Sequence, residues 1–190
     1  MTFWRHTLID VADLRDRSRV RRPGAMITIG TRLPDATLME STEFGEACPL
    51  SPKPVPVAEA TKGKRIVIFG LPGAYTPTCS AQHVPGYLRH LDAFKAKGID
   101  EIWCVSVNDA FVMAAWGRDE QGIGKIRFLG DGSGDFATKL GLGLDLTGFG
   151  MGHRMQRCSM LVDDGVVKQL FVEQGGKFEV SSAEHMLKHL

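Results

Sequence analysis

Short unbroken apolar runs punctuate this chain. They occupy residues 66–69 in KRIVIFG, the middle of EIWCVSV, and the strand-like start of KIRFLG. Runs of this length predict strands covered on both faces. A slower rhythm fills the gaps. In SAQHVPGYLRHLDAFKAKG, Val84, Leu88, Leu91 and Phe94 recur at helical spacing, and Gly98 is a predicted stop. Pro85 and Gly86 predict a kink or delay in its first turns. NDAFVMAAWGR reads as a helix opened by Asn108 or Asp109, and DGSGDFATKLGL as a glycine turn followed by a helix. Two apolar runs flank Asp164-Gly165 and predict a hairpin. SSAEHMLKHL predicts a closing helix, with Ser181 and Glu184 at capping-box spacing. Upstream, MITIGTRLPDATL predicts a short strand and a turn, and the prolines of PLSPKPVPVAEATKGK confine that stretch to edge or loop structure. The order is βαβ units, a hairpin, then a helix. It predicts an α/β fold with a central mixed sheet flanked by helices, and the thioredoxin-like fold fits that order best.

At 190 residues with 43% hydrophobic and 24% charged residues, the chain suits one domain with a substantial core. The formal net charge of +1 gives no reason to expect a nucleic-acid surface, and no apolar run reaches membrane-spanning length. Charge is uneven at the start. Residues 1–25 carry Arg5, Arg15, Arg17, Arg19, Arg21 and Arg22 beside Asp10, Asp13 and Asp16. The arginines suit an organellar transit segment, whereas the acids argue against one. The reading adopted is a loose extension over 1–25 and a folded domain over 26–190.

The four cysteines, Cys48, Cys79, Cys104 and Cys158, are far apart, and none forms a CxxC pair or a zinc pattern with nearby histidines. A disulfide scaffold fits poorly, and a reducing compartment with one or two working thiols fits better. His185 and His189 share a helical face but lack further ligands, so no metal is expected. GDGSGDF lacks the residues of a phosphate loop and reads as a turn. Cys79 stands out by position. It ends the loop GLPGAYTPTCS, between a central strand and a helix start. Free N–H groups and the dipole of a helix start favour a thiolate there. Thr76 supplies a hydroxyl, Pro72 can shape and dry a pocket, and Tyr75 can wall it. His83 is a candidate electrostatic tuner. A small buried filler is the competing reading of Cys79, because glycine and proline mark turns in any protein.

The residues FGLPGAYTPTCSAQHVPGY at 69–87 resemble the peroxiredoxins of the type II, or atypical, branch. The family pattern Pro-x-x-x-Thr-x-x-Cys falls on Pro72, Thr76 and Cys79. The resemblance continues through 97–116, 128–142 and 157–168, so it extends over 26–190. It implies a thioredoxin fold and reduction of hydroperoxides. It implies a peroxidatic role for Cys79, peroxide binding by Thr76, shielding by Pro72, and an active-site arginine at Arg157. One departure is Cys158, where many relatives carry an aromatic residue beside that arginine; the smaller side chain is expected to loosen packing against Arg157.

For regeneration, some plant relatives use a second cysteine at the spacing of Cys104, but the pattern of EIWCVSV places Cys104 in the core. The C-terminal cysteine of animal-type relatives is replaced here by Val180, Ser181 and Ser182. The resemblance therefore implies a one-cysteine cycle with glutathione and glutaredoxin as reductants and no bound cofactor. A thioredoxin-dependent cycle resolved by Cys104 is the alternative. Outside peroxidase chemistry, the rivals are general thiol–disulfide exchange, which lacks its CxxC, and a non-catalytic binding module with an unreactive Cys79. A homodimer is expected from the resemblance. The cytoplasm is the expected compartment, or a mitochondrion or other organelle if residues 1–25 direct transit.

Overall fold

The computed structural model describes residues 24–46 and 48–190. The sequence reading of residues 1–25 as extension or transit segment therefore lies, over residues 1–23, outside the described residues. In chain order the strands are β1 (Thr37–Glu40), β2 (Glu43–Phe44), β3 (Pro49–Leu50), β4 (Lys53–Pro56), β5 (Arg65–Gly70), β6 (Glu101–Ser106), β7 (Arg127–Gly130), β8 (Gly143–Leu146), β9 (Gly152–Met155), β10 (Cys158–Asp163) and β11 (Val166–Val172). The helices are α1 (Val57–Ala60), α2 (Val84–Arg89), α3 (Leu91–Ala96), α4 (Ala110–Asp119), α5 (Asp135–Leu140) and α6 (Ala183–Lys188).

Seven strands form one mixed sheet in the order β11-β10-β5-β6-β7-β1-β4. Only β5–β6 and β6–β7 are parallel. The fold is thioredoxin-like, as the element order predicts. Its side chains sort by strand parity. Ile66, Ile68, Trp103, Val105, Met160 and Val162 face one cluster, with Phe136 and Leu140 of α5. Val67, Phe69, Ile102, Cys104 and Leu161 face the other, with Tyr87, Phe94, Trp116 and Met186 from α2, α3, α4 and α6. Period-two alternation within runs that are apolar throughout thus feeds two cores, one on each face. The proline-rich stretch supplies β4, an edge strand, where missing N–H donors do least harm.

Several local expectations hold. Asp109 caps α4 by accepting from Val112 N–H at 2.9 Å. Asp164 and Gly165 turn the β10–β11 hairpin with φ of 46° and 74°, a left-handed pair suited to the strand twist. In the glycine turn, Asp131 accepts from Phe136 N–H and Ala137 N–H and so secures the start of α5.

Three expectations need correction. The capping box is one residue out of register: Ser182 caps α6, accepting from His185 N–H at 3.2 Å, because the Ser181 hydroxyl already donates to Glu173. The helix after Cys79 starts late, as Pro85 predicts, with regular α-helix only from Val84, but it also breaks at His90, which the sequence does not signal. Ahead of Pro85 it is wound wide over Cys79–His83, where Val84 N–H reaches back five residues to the Cys79 carbonyl. The predicted strand in 26–38 begins only at Thr37. The residues before it instead hydrogen-bond along the edge of β11, through Gly30 N–H to the Val167 carbonyl and Leu33 N–H to the Gly165 carbonyl.

Candidate active site

The loop 71–78 leaves β5 at the end of the sheet where β5 and β6 both finish. Leu71 N–H still donates to the Val105 carbonyl, extending the pairing by one bond. From there Asn108, just beyond β6, takes hold of the loop. Its Oδ1 accepts from Ala74 N–H at 3.0 Å and from the Ser106 hydroxyl at 2.8 Å. Thr76 Oγ1 donates to the Gly73 carbonyl at 2.8 Å, closing a tight turn, and the Thr76 carbonyl accepts from Ser80 N–H at the helix start. Tyr75 sits at φ 57°, a left-handed conformation that costs a bulky residue about 1–2 kcal/mol. It is half exposed and its hydroxyl donates to Asp119, so it lies at the rim and does not wall the pocket as the sequence suggested. The indole N–H of buried Trp116 donates to the Ser80 hydroxyl at 2.8 Å, tying α4 to the residue after Cys79.

Cys79 is fully buried in the first turn of the helix, and its sulfur meets one cation. Arg157 Nη1 donates to Cys79 Sγ at 3.4 Å. Arg157 immediately precedes β10, whose first residue, Cys158, pairs with Gly70 at the end of β5. Strand parity then turns Arg157 towards Cys79 and Cys158 to the opposite face. Cys158 packs against Gly70 and Met155, so its small volume does not loosen Arg157, contrary to the expectation above. A Cβ at position 70 would come within 2.6 Å of the end of the Met155 side chain and 2.9 Å of Cys158 Sγ, so both side chains would have to shift.

Arg157 is only 8% exposed, yet no described carboxylate lies within ion-pair distance of it. Its neighbours are the sulfur, the His83 ring and the face of Phe178, 5.8 Å from Cζ. Its Nε–H is buried without a protein acceptor. An isolated guanidinium with a spare donor is arranged to receive negative charge and an acceptor oxygen. A cleft of about 240 Å³ lined by Pro72, Leu144, Gln156, Arg157 and Glu173 opens beside it. Two larger clefts, of about 480 and 410 Å³, meet at Glu101 and Lys125 at the opposite end of the sheet, away from the thiol.

His83 is not the charged tuner that its place in the sequence allowed. Burial, with the Arg157 charge beside it, lowers its pKa to about 3, so the ring is neutral. Its Nδ1 lies 3.1 Å from Arg157 Nη1. Position near Cys79 was the only sequence signal, and the partnership with Arg157, 74 residues away, had none. Asn108 was visible only as a possible helix cap.

The other thiols differ from Cys79. Cys104 is fully buried on β6 in the same apolar cluster, and burial, then the neighbouring Cys79, pushes its pKa well above the ordinary thiol value. Burial likewise pushes Cys158 up to about 12. Cys48 is exposed. His185 and His189 stack on one another, with Phe171 edge-on to the first and tilted to the second, and no group of three metal-ligating side chains occurs among the described residues. No described helix is long and apolar enough to cross a membrane.

The redoxin family model matches residues 28–187. The chain is 47% identical to Peroxiredoxin-2E, chloroplastic, of Arabidopsis thaliana, over 87% of this chain and 70% of that protein. Among solved structures it is similar to reduced Prx3 of Vibrio vulnificus in complex with hydrogen peroxide, at 48% identity and TM-score 0.80, covering 86% of this chain and 99% of that one. It is also similar to a Burkholderia cenocepacia protein provisionally described as a thioredoxin reductase, at 57% identity and TM-score 0.83, covering 87% of this chain and 99% of that one.

Proposed function

Because the chain belongs to the redoxin family, as a type II peroxiredoxin with thiol peroxidase activity, we propose that Cys79 is its peroxidatic cysteine and that a glutathione and glutaredoxin system regenerates it. The observation that carries the reading is the contact between Cys79 Sγ and a buried arginine with no carboxylate partner. The thiolate sulfur attacks the terminal oxygen of a hydroperoxide. The O–O bond breaks, an S–O bond forms, and the electron pair leaves on the alkoxide or hydroxide. Arg157 stabilises that developing charge. The Thr76 hydroxyl, whose hydrogen is directed to Gly73, offers its lone pairs to the peroxide O–H and holds it in line. Pro72 lines the cleft and keeps water away from the sulfur. Cys79 is oxidised to the sulfenic acid, and the leaving oxygen takes from solvent the proton that the thiol released on ionising and departs as water or alcohol.

The state of the other thiols supports a one-cysteine cycle. Attack on a sulfenic acid needs a thiolate. Cys104 is buried and held protonated, Cys158 lies on the other face of the sheet, and Cys48 is exposed, outside the buried cluster that holds Cys79. An external thiol then attacks Cys79–SOH, releasing water and forming a mixed disulfide that a second thiol reduces. Thioredoxin acting on a Cys79–Cys104 disulfide is the rival cycle. Replacing each cysteine with serine and following peroxide consumption with glutathione and glutaredoxin tests the scheme. Loss only in Cys79→Ser is expected, and full activity in that variant ends the reading. Treatment of the reduced chain with one equivalent of peroxide is expected to give sulfenic acid at Cys79 by intact mass; a dominant Cys79–Cys104 bridge would transfer the cycle to thioredoxin.

The exposed aromatic rings of Tyr75 and Phe111 near the loop support a homodimer, which light scattering after gel filtration checks. The compartment proposed is the cytoplasm, with an organelle as the alternative if residues 1–25 direct transit. A fluorescent fusion of the full chain decides between them.

A further inference from the structure

Behind Cys79 the hydrogen bonds form one directed chain that begins at a strand end the mechanism above leaves unused. Glu173 follows β11 and is buried. Its Oε1 accepts from Glu179 N–H at 2.7 Å, from Ser181 N–H at 2.8 Å and from the Ser181 hydroxyl at 2.8 Å. Three donors on one oxygen fold the segment 174–182 back across the end of the sheet as a strap. The Ser181 carbonyl, fixed by that strap, accepts from His83 Nε2 at 3.1 Å and from the Tyr87 hydroxyl at 3.1 Å. A carbonyl can only accept, so Nε2 carries the ring proton of the neutral His83 and Nδ1 presents a lone pair. Arg157 Nη1 donates into that lone pair at 3.1 Å and reaches Cys79 Sγ at 3.4 Å. The strap also supplies Phe178, whose ring packs on His83 and under the guanidinium.

We propose that Glu173 is a positioning residue for the peroxidase reaction: by clamping Ser181 it fixes the tautomer of His83 and, through it, the direction in which Arg157 points at Cys79. The inference rests on the roles given above to Cys79 and Arg157. Its logic lies in what holds Arg157. No described carboxylate does so, so its aim depends on one lone pair and one aromatic face. If the Ser181 carbonyl withdraws, Nε2–H loses its acceptor and the other tautomer becomes accessible. That tautomer turns an N–H towards the guanidinium, donor against donor, and Arg157 swings off the sulfur. Burial alone would raise the pKa of Glu173, but the hydrogen bonds from Ser181 and Glu179 outweigh it and hold the carboxyl below its ordinary value, so the clamp is charged at neutral pH.

The test compares the full-length wild type with Glu173→Gln and Ser181→Ala. Three quantities are read: the stopped-flow rate of the reduced protein with hydrogen peroxide, the ¹⁵N NMR signature of the His83 ring, and the thermal midpoint. In Glu173→Gln the peroxide rate per folded molecule is expected to fall roughly fivefold or more, with loss of the pure Nε2–H signature. Ser181→Ala removes one of the three donors and is expected to give a smaller change in the same direction. A lowered midpoint with unchanged rate and unchanged His83 signature would make Glu173 a purely structural residue and overturn the inference. Should Glu173→Gln fail to fold, Ser181→Ala decides by the same two readouts. A wild type inert to peroxide would overturn the peroxidase reading instead, and the His83 signature would still decide the clamp.

Discussion

Two arginines in this molecule lie against the sheet, on opposite faces and at opposite ends, and they are treated in opposite ways. Arg127, on β7, is gripped by carboxylates: its Nε and Nη2 pair with Glu40, its Nη1 reaches Glu101 Oε2 at 3.3 Å, and its charge lies over the Trp103 ring. Glu101 is shared with Lys64 and with the Trp103 indole N–H. The row laces together β1, β6 and β7. The hydrogen bond Arg127 donates to Glu40, aided by the charges of both nearby carboxylates, raises the pKa of Arg127 above its ordinary value. Arg157 is buried more deeply, and in place of a carboxylate it meets the Cys79 sulfur and the neutral His83 ring. A compensated charge has its energy already satisfied and serves the fold. An uncompensated one is kept ready for a charge that arrives with the reaction.

Four experiments would break or sharpen that contrast. The largest effect concerns the neutral neighbour of Arg157. The pKa of His83 falls from 6.5 to about 3 on folding, so between those values the unfolded chain binds more protons. Stability from this residue is complete above about pH 6.5 and is lost as the pH falls towards 3, in total roughly 4–5 kcal/mol. Denaturant unfolding of wild type against His83→Gln across pH 4–7 is expected to show a steeper acid loss in the wild type; parallel curves would mean that His83 is not held neutral. Second, Arg157→Met is expected to lower the peroxide rate by at least roughly tenfold, about 1.4 kcal/mol of transition-state stabilisation, while leaving the unfolding midpoint almost unmoved. A normal rate would remove Arg157 from the chemistry. Third, Arg127→Met is expected to give the mirror image: an unchanged peroxide rate with about 1 kcal/mol less stability by urea unfolding. Impaired turnover there would erase the distinction between the two residues. The smallest effect is expected from Cys104→Ser, a change in peroxidase turnover with glutathione and glutaredoxin of less than about twofold; a large loss would return Cys104 to the cycle.

Much of the fold could be read from the chain because its signals are local. The runs of β5 and β6, the Asp109 cap and the Asp164-Gly165 turn each depend on a few neighbouring residues. Where a distant residue intervenes, the local signal misleads. Ser181 has capping-box spacing to Glu184, but its hydroxyl is taken by Glu173 and Ser182 caps instead. Pro85 correctly signals a delayed helix, which becomes regular only at Val84, but the later break at His90 has no local signal. The candidate site divides in the same way. Pro72, Thr76 and Cys79 lie on one short loop and share a recognisable spacing. Arg157 was found through resemblance, since no spacing links it to Cys79. His83, Asn108 and Glu173 act through partners separated from them in the chain by other elements, or by a fold-back of the backbone, and patterning says nothing of such meetings.

The bond from the Trp116 indole to Ser80 gives the molecule a built-in optical gauge. Among the described residues, Trp103 is the only other tryptophan, and it sits with Arg127 on the far face of the sheet. Fluorescence that responds to peroxide should therefore come from Trp116, because Ser80, which accepts from its indole N–H, directly follows the sulfur that is oxidised. Emission in Trp103→Phe is expected to change when Cys79 is oxidised and to recover on reduction. In Trp116→Phe it is expected to stay silent, so each half of a turnover can be timed by light without a label.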